Sequence, residues 1–164
     1  MVFIRLKNRV SNGKSLDYAY LVENSYRRNG PKQRVKKYLG RIYKFDIVKD
    51  EEFRVADGSY KKLLVSLFEN ELIKQGFVLK NNVYVCGDCS VDLNNFKFLG
   101  IKGKNIVLQL NAGFICEYSL NELFNLKFNE REDFKKEFAK KLVLGGLDVK
   151  PEVFVELYKR LVVK

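Results

Sequence analysis

The sequence predicts an α+β fold: an N-terminal three-stranded antiparallel basic meander, one long helix, a second small antiparallel sheet and a helical C-terminus. Three observations carry this expectation. Residues 2–40 alternate with period two, residues 59–75 carry an apolar stripe of helical period, and residues 77–116 return to short strand-like runs separated by turn residues.

In "VFIRLKNRV", Val2, Ile4 and Leu6 alternate with Phe3, Arg5 and Lys7, and "SNGK" supplies a turn. "LDYAYLVEN" forms the second strand and "KQRVKKYLG" the third, joined through "RRNGP", whose Asn29-Gly30 pair suits a tight hairpin turn. Strict alternation places Arg34, Lys36 and Tyr38 on one face of the third strand and Val35, Lys37 and Leu39 on the other. The apolar side of so small a sheet must pack on the rest of the chain or on a partner, leaving a face of Arg, Lys and Tyr open.

"SYKKLLVSLFENELIKQ" then lines up Leu63, Leu64, Leu67, Phe68, Leu72 and Ile73 on one side of a helix, with Ser59 as its N-cap and Gly76 past its end. The runs "FVLK", "VYVC", "CSVDL", "FKFL" and "NIVLQL" read as hairpins of an antiparallel sheet. Beyond them, Ser119 with Glu122 and Asn129 with Glu132 have the spacing of capping boxes. A last helix begins near Pro151 and buries Val153, Phe154, Leu157, Tyr158 and Leu161. The expected organisation is a basic β-meander over residues 1–49 and an α+β scaffold over residues 50–164, with a boundary near 46–58.

With 46% hydrophobic residues the chain can bury a core. Histidine is absent, which removes Ser-His and Cys-His nucleophiles and imidazole metal ligands. Three cysteines, an odd number, make no disulfide framework and fit a reducing, cytoplasmic setting. No apolar run approaches the roughly 18 residues that a membrane-spanning helix needs. Arg5, Lys7 and Arg9 interrupt the apolar N-terminal stretch, so neither a signal peptide nor a membrane partner is expected.

Charge is the most informative feature. Residues 1–49 hold thirteen Lys and Arg against Asp17, Glu23 and Asp46, a net +10 of the chain's +11, so the excess belongs to one segment. Such asymmetry points to a polyanion, and the partner expected is nucleic acid, DNA or RNA. Arg5, Lys7, Arg27, Arg28, Lys32, Arg34, Lys36, Lys37 and Arg41 are the candidate phosphate contacts, with Tyr18, Tyr20, Tyr26 or Tyr38 stacking on bases or packing beneath the cations.

The order "FIRLKN", "YAYLVENSYRRNG", "KQRVKKYLG" resembles the N-terminal segment of insertion-sequence transposases that carry an RNase H-like, DDE-type catalytic domain. The resemblance covers residues 3–40, about a quarter of the chain. It implies a role close to nucleic acid for Tyr26, Arg27, Arg28, Gln33, Arg34 and Gly40. Beyond residue 40 the chain departs from that family: it is too short for the catalytic domain and has no spaced Asp, Asp, Glu set in a matching context. The resemblance therefore extends to the arm, not to transposase activity.

Other chemistry has thinner support. Cys86 and Cys89 have the spacing of a zinc knuckle, with Cys116 a third thiol, but a tetrahedral site then needs Asp88, Glu117 or a second chain. The plainer reading makes Gly87-Asp88 a hairpin turn, and no cofactor is expected. Asp88, Asp92 and Glu117 are candidate metal-binding carboxylates of a nuclease. However, "NIVLQLN" offers Gln109 and Asn111 where a restriction-type core places Glu and Lys. The leading expectation is a non-catalytic nucleic-acid-binding protein; a metal-dependent nuclease and an assembly or adaptor subunit are the alternatives.

Overall fold

The computed structural model describes residues 2–28, 30–49 and 52–163. In chain order the elements are β1 (Val2–Ser11), β2 (Lys14–Arg27), β3 (Gly30–Lys44), α1 (Tyr60–Lys74), β4 (Val78–Lys80), β5 (Val83–Cys86), β6 (Cys89–Asp92), β7 (Lys97–Leu99), β8 (Ile106–Leu110), β9 (Gly113–Ile115), α2 (Glu117–Phe124), α3 (Phe134–Leu144) and α4 (Pro151–Val162). The fold is α+β, as the periodicities predict.

The meander forms as antiparallel β1-β2-β3. Asn12 and Gly13 both take positive φ, 49° and 72°, between the paired residues Ser11 and Lys14, so the first hairpin closes with a two-residue turn that matches strand twist. The second expected turn includes Asn29, which lies outside the described residues. β2 and β3 run on past the start of β1, pairing out to Arg27 opposite Gly30.

Two elements of the expected topology change. "NIVLQL" does not join the hairpins before it: β4-β5-β6-β7 close a four-stranded antiparallel sheet, while β8 runs parallel to β3, pairing Arg41–Lys44 with Ile106–Gln109. Segments 1–49 and 50–164 thereby share one five-stranded sheet, β1-β2-β3-β8-β9. Adjacent runs in sequence favour hairpins, but the apolar Ile106, Val107 and Leu108 need cover on both faces, which an inner strand provides.

The second change lies in β3. Opposite β2, the partner of Ala19 is Gly40 and that of Tyr20 is Tyr38; the partner of Leu21 is Lys37 and that of Val22 is Val35. Leu39 and Lys36 are thus skipped, as in β-bulges, and strict alternation fails between them. Tyr38 shares a face with Val35, whereas Arg34 and Lys37 share the other, so the expected grouping of Arg34, Lys36 and Tyr38 is corrected.

Helix α1 follows its signals except at Ile73, which is exposed: Ser59 accepts a hydrogen bond from the Lys62 amide, and Leu63, Leu64, Leu67, Phe68 and Leu72 are buried. Pro151 occupies the first turn of α4, which buries Val153, Leu157 and Leu161, with Phe154 and Tyr158 half-buried beside them. The two capping boxes are corrected. Ser119 is the third residue of α2, not its cap, and its hydroxyl accepts from the amide of Cys116, the true N-cap. Asn129 instead accepts from the Arg131 amide in a turn ahead of α3, whose N-cap is Asp133.

The main core lies where α1, the small sheet and α2–α4 meet one face of β8 and β9, through Ile106, Leu108, Leu110 and Ile115. A second cluster of Ala19, Leu39, Val107 and Cys116, with Ile4, Leu21, Ile42, Phe114 and Tyr118 against it, covers part of the opposite face. Gly40 sits at the junction of the two halves. A Cβ there would lie 2.4 Å from the Asn105 carbonyl oxygen, and φ is +143°. Gly40→Ala should therefore cost about 2 kcal/mol or more, through a strained backbone and a displaced β3–β8 pairing. Urea unfolding would show it as a lower midpoint at unchanged m-value; a midpoint equal to the wild type would contradict the close approach.

Candidate nucleic-acid interface

Side chains directly opposed across a sheet share a face, so the registers sort the meander into two sides. One carries Arg5, Lys7 and Arg9 of β1, Tyr18, Tyr20, Asn24 and Tyr26 of β2, and Gln33, Tyr38 and Arg41 of β3. The other carries Asp17, Glu23, Lys32, Arg34 and Lys37. Both carboxylates of the strands fall on this second side.

On the first side, cations and phenols interleave. The Lys7 ammonium lies 5.0 Å from the centre of the Tyr20 ring and the Arg9 guanidinium 5.5 Å from that of Tyr18. Arg9 also donates to the Tyr20 hydroxyl at 3.0 Å, and Arg5 donates to the Gln33 side-chain carbonyl. Tyr38 completes the cluster, its ring 5.3 Å from Tyr20 and 6.3 Å from Tyr18. Burial raises the Tyr38 phenol above its ordinary value, and the neighbouring Tyr18 and Tyr20 add to the effect. At neutral pH that phenol is uncharged and the face stays cationic.

Arg41 stands at the inner end of this side, 4.8 Å over the Tyr43 ring, with its Nε buried and unpartnered among the described residues. On the neighbouring strand of the same face, at Ile106 and Leu108, which pair with Arg41 and Tyr43, the sheet enters the main core. A single sheet face thus changes from packed core to open cationic surface across Arg41 and Tyr43.

On the second side two of the cations meet carboxylates: Lys36 pairs with Glu23 at 2.9 Å and Lys37 with Glu117 at 3.1 Å. A hydrogen bond from Lys36 and its charge hold the Glu23 carboxyl below the usual range. Tyr26 is 85% exposed near the end of the β2-β3 hairpin, and Arg28 is exposed in the turn. Arg27 stands opposite Gly30, and its side chain lies outside what the structure describes.

Of the residues singled out in the sequence, Arg5, Lys7, Gln33, Tyr38 and Arg41 therefore come to one side with Tyr26, while Lys32, Arg34, Lys36 and Lys37 go to the other. Arg9, absent from the candidate set, belongs with the first group. Its spacing of two from Lys7 and four from Arg5 was the available signal. Gly40, implicated by the transposase resemblance, makes the close approach to β8 described above.

The cysteines and acids take other places. Cys86 and Cys89 oppose each other across Gly87-Asp88, as the hairpin reading expects. Cys89 packs in the main core, where burial pushes its thiol up to about 11, and Cys116 sits in the second cluster, its thiol also raised by burial. Asp92 accepts from the amides of Asn94 and Asn95, both at 3.0 Å, and Glu117 pairs with Lys37. Among the described residues no three Cys, Asp or Glu side chains gather to hold a metal ion, so the zinc set Cys86, Cys89, Cys116 and the nuclease set Asp88, Asp92, Glu117 do not assemble. No helix of the described residues is long and apolar enough to cross a membrane.

Compared with protein-family models, curated proteins and solved structures, the chain matches none.

Replacing Lys36 should release the Glu23 carboxyl. In Lys36→Ala its pKa, followed by NMR, is expected to rise towards 4.5, the ordinary value; no change would mean that the pair does not form in solution.

Proposed function

We propose that the protein binds nucleic acid, without catalysis, through the Arg5, Lys7, Arg9, Tyr18, Tyr20, Tyr38 side of its meander. The observation that carries this reading is the sorting of charge across the sheet. Asp17 and Glu23 stand on one side, and the other presents cations and neutral phenols with no strand carboxylate among them. A face that serves only solubility has no need of this separation, because mixed signs keep a surface hydrated equally well. A polyanion rewards it, since each phosphate meets a cation that has no competing carboxylate beside it. The likeness of residues 3–40 to transposase arms agrees with the same partner.

The cations are also held in place. Lys7 and Arg9 rest on tyrosine rings and Arg5 is tied to Gln33, which reduces the side-chain entropy lost when a phosphate is bound. Binding should weaken steeply with salt, with a log-log slope of about −0.7 to −0.9 per phosphate contact. The triple variant Arg5→Ala, Lys7→Ala, Arg9→Ala should flatten that slope by about two to three. Lys32→Ala, Arg34→Ala, Lys37→Ala, on the opposite side, should change it less. Fluorescence anisotropy against salt concentration measures both. A slope unmoved by the first variant, or a complex from cells that survives nuclease digestion, would point to an acidic protein partner instead.

A further inference from the structure

We infer that this face takes single-stranded nucleic acid, with phosphates along the β1 cations and an unpaired base stacked on Tyr38. The inference rests on the function proposed above and narrows its ligand. Arg5, Lys7 and Arg9 lie two residues apart on β1, hence about 6.7 Å from one to the next along an almost straight line. β1 is the outermost strand of the sheet, so this row forms a rim with the tyrosines inboard on β2 and β3. A single strand laid along such a rim has its backbone over the cations and its bases turned inward over the rings.

The rings are not equivalent. Tyr20 has Lys7 over it and Tyr18 has Arg9, whereas among the described residues no cation lies over Tyr38. Tyr38 is nonetheless 49% exposed, tilted by 53° to Tyr20 and 41° to Tyr18, so part of its ring is open between two occupied neighbours. A support for cations would have one above it. A platform for a base would be left open.

Duplex nucleic acid makes little use of such a ring, because its base faces are stacked on one another and its outer surface is phosphate and sugar. Unpaired bases offer their faces, and aromatic side chains within a cationic groove hold them with little regard to sequence. DNA and RNA single strands share this chemistry.

The test uses the full chain with fluorescein-labelled oligonucleotides of one length: single-stranded DNA, single-stranded RNA, and the corresponding DNA duplex. Tyr38→Ala is expected to weaken single-strand binding about tenfold, to weaken duplex binding by much less, and to be rescued by Tyr38→Phe. The chain has no tryptophan, so its intrinsic fluorescence is that of tyrosine. In the unmodified protein, single strands should quench that emission and the duplex should not, which keeps the inference testable if Tyr38→Ala fails to fold. A preference for the duplex, equal losses on single strand and duplex, or no quenching by single strands overturns the inference. Salt-dependent duplex binding that Arg5→Ala, Lys7→Ala, Arg9→Ala abolishes would keep the proposed interface while removing this ligand. No binding to any of the three removes both.

Discussion

The parallel pairing of Arg41–Lys44 with Ile106–Gln109 is the constraint on which the rest of the structure depends. A three-stranded meander alone has little core of its own, and strands of this length gain stability by packing on a further layer. Joining β8 gives the meander a neighbour whose Val107, Ile106 and Leu108 are almost wholly buried, so its inner end is anchored in both apolar clusters. The outer end then needs no core. That freedom lets β1 and the facing positions of β2 carry cations and tyrosines where a self-contained sheet would place aliphatic residues.

The anchorage also orients the cationic face. Because the one strand β3 pairs with both β8 and β2, the cationic face is tied to the end of the sheet that the helices cover. Within that face, order comes from local contacts: ammonium and guanidinium groups on rings, a guanidinium on an amide, and the Tyr38 ring against those of Tyr18 and Tyr20. Each is modest, on the order of 0.5–1 kcal/mol for an exposed cation–ring pair, but they act on groups that would otherwise sample many rotamers. The opposite side shows the contrast. There Lys36 and Lys37 are engaged by Glu23 and Glu117, and a phosphate arriving at them would first displace a carboxylate.

Much of this was legible in the sequence. The meander, α1 with its Ser59 cap, the Gly87-Asp88 turn and the start of α4 at Pro151 all follow from local signals, because turn chemistry and capping act over a few residues. What escaped was long-range or register-dependent. Nothing within "NIVLQL" says that its partner is β3 rather than the preceding hairpin, since an all-apolar run fits any inner strand. The start of α2 was missed because cysteine is an unusual N-cap and Ser119, three residues later, looks like a better one. The candidate residues of β3 sort between the faces otherwise than strict alternation expects, because the ladder skips Lys36 and Leu39. Arg9, outside the candidate set, stands with Arg5 and Lys7 on β1, whose ladder has no such break.

The two skipped residues behave like a pair of compensating frameshifts. Each alone would exchange the sides of every residue beyond it; together they invert only Lys37, Tyr38 and Leu39 and restore the phase before Arg41, which still faces Tyr18. In an unbroken ladder Lys37 would occupy the place that Tyr38 now takes beside Tyr20, and the phenol would point to the other side. This stretch of β3 therefore has a grammar of length as well as of composition. Descendants that gain or lose one residue between positions 36 and 39 would scramble either the ring cluster or the seam with β8, whereas balanced changes would leave both intact.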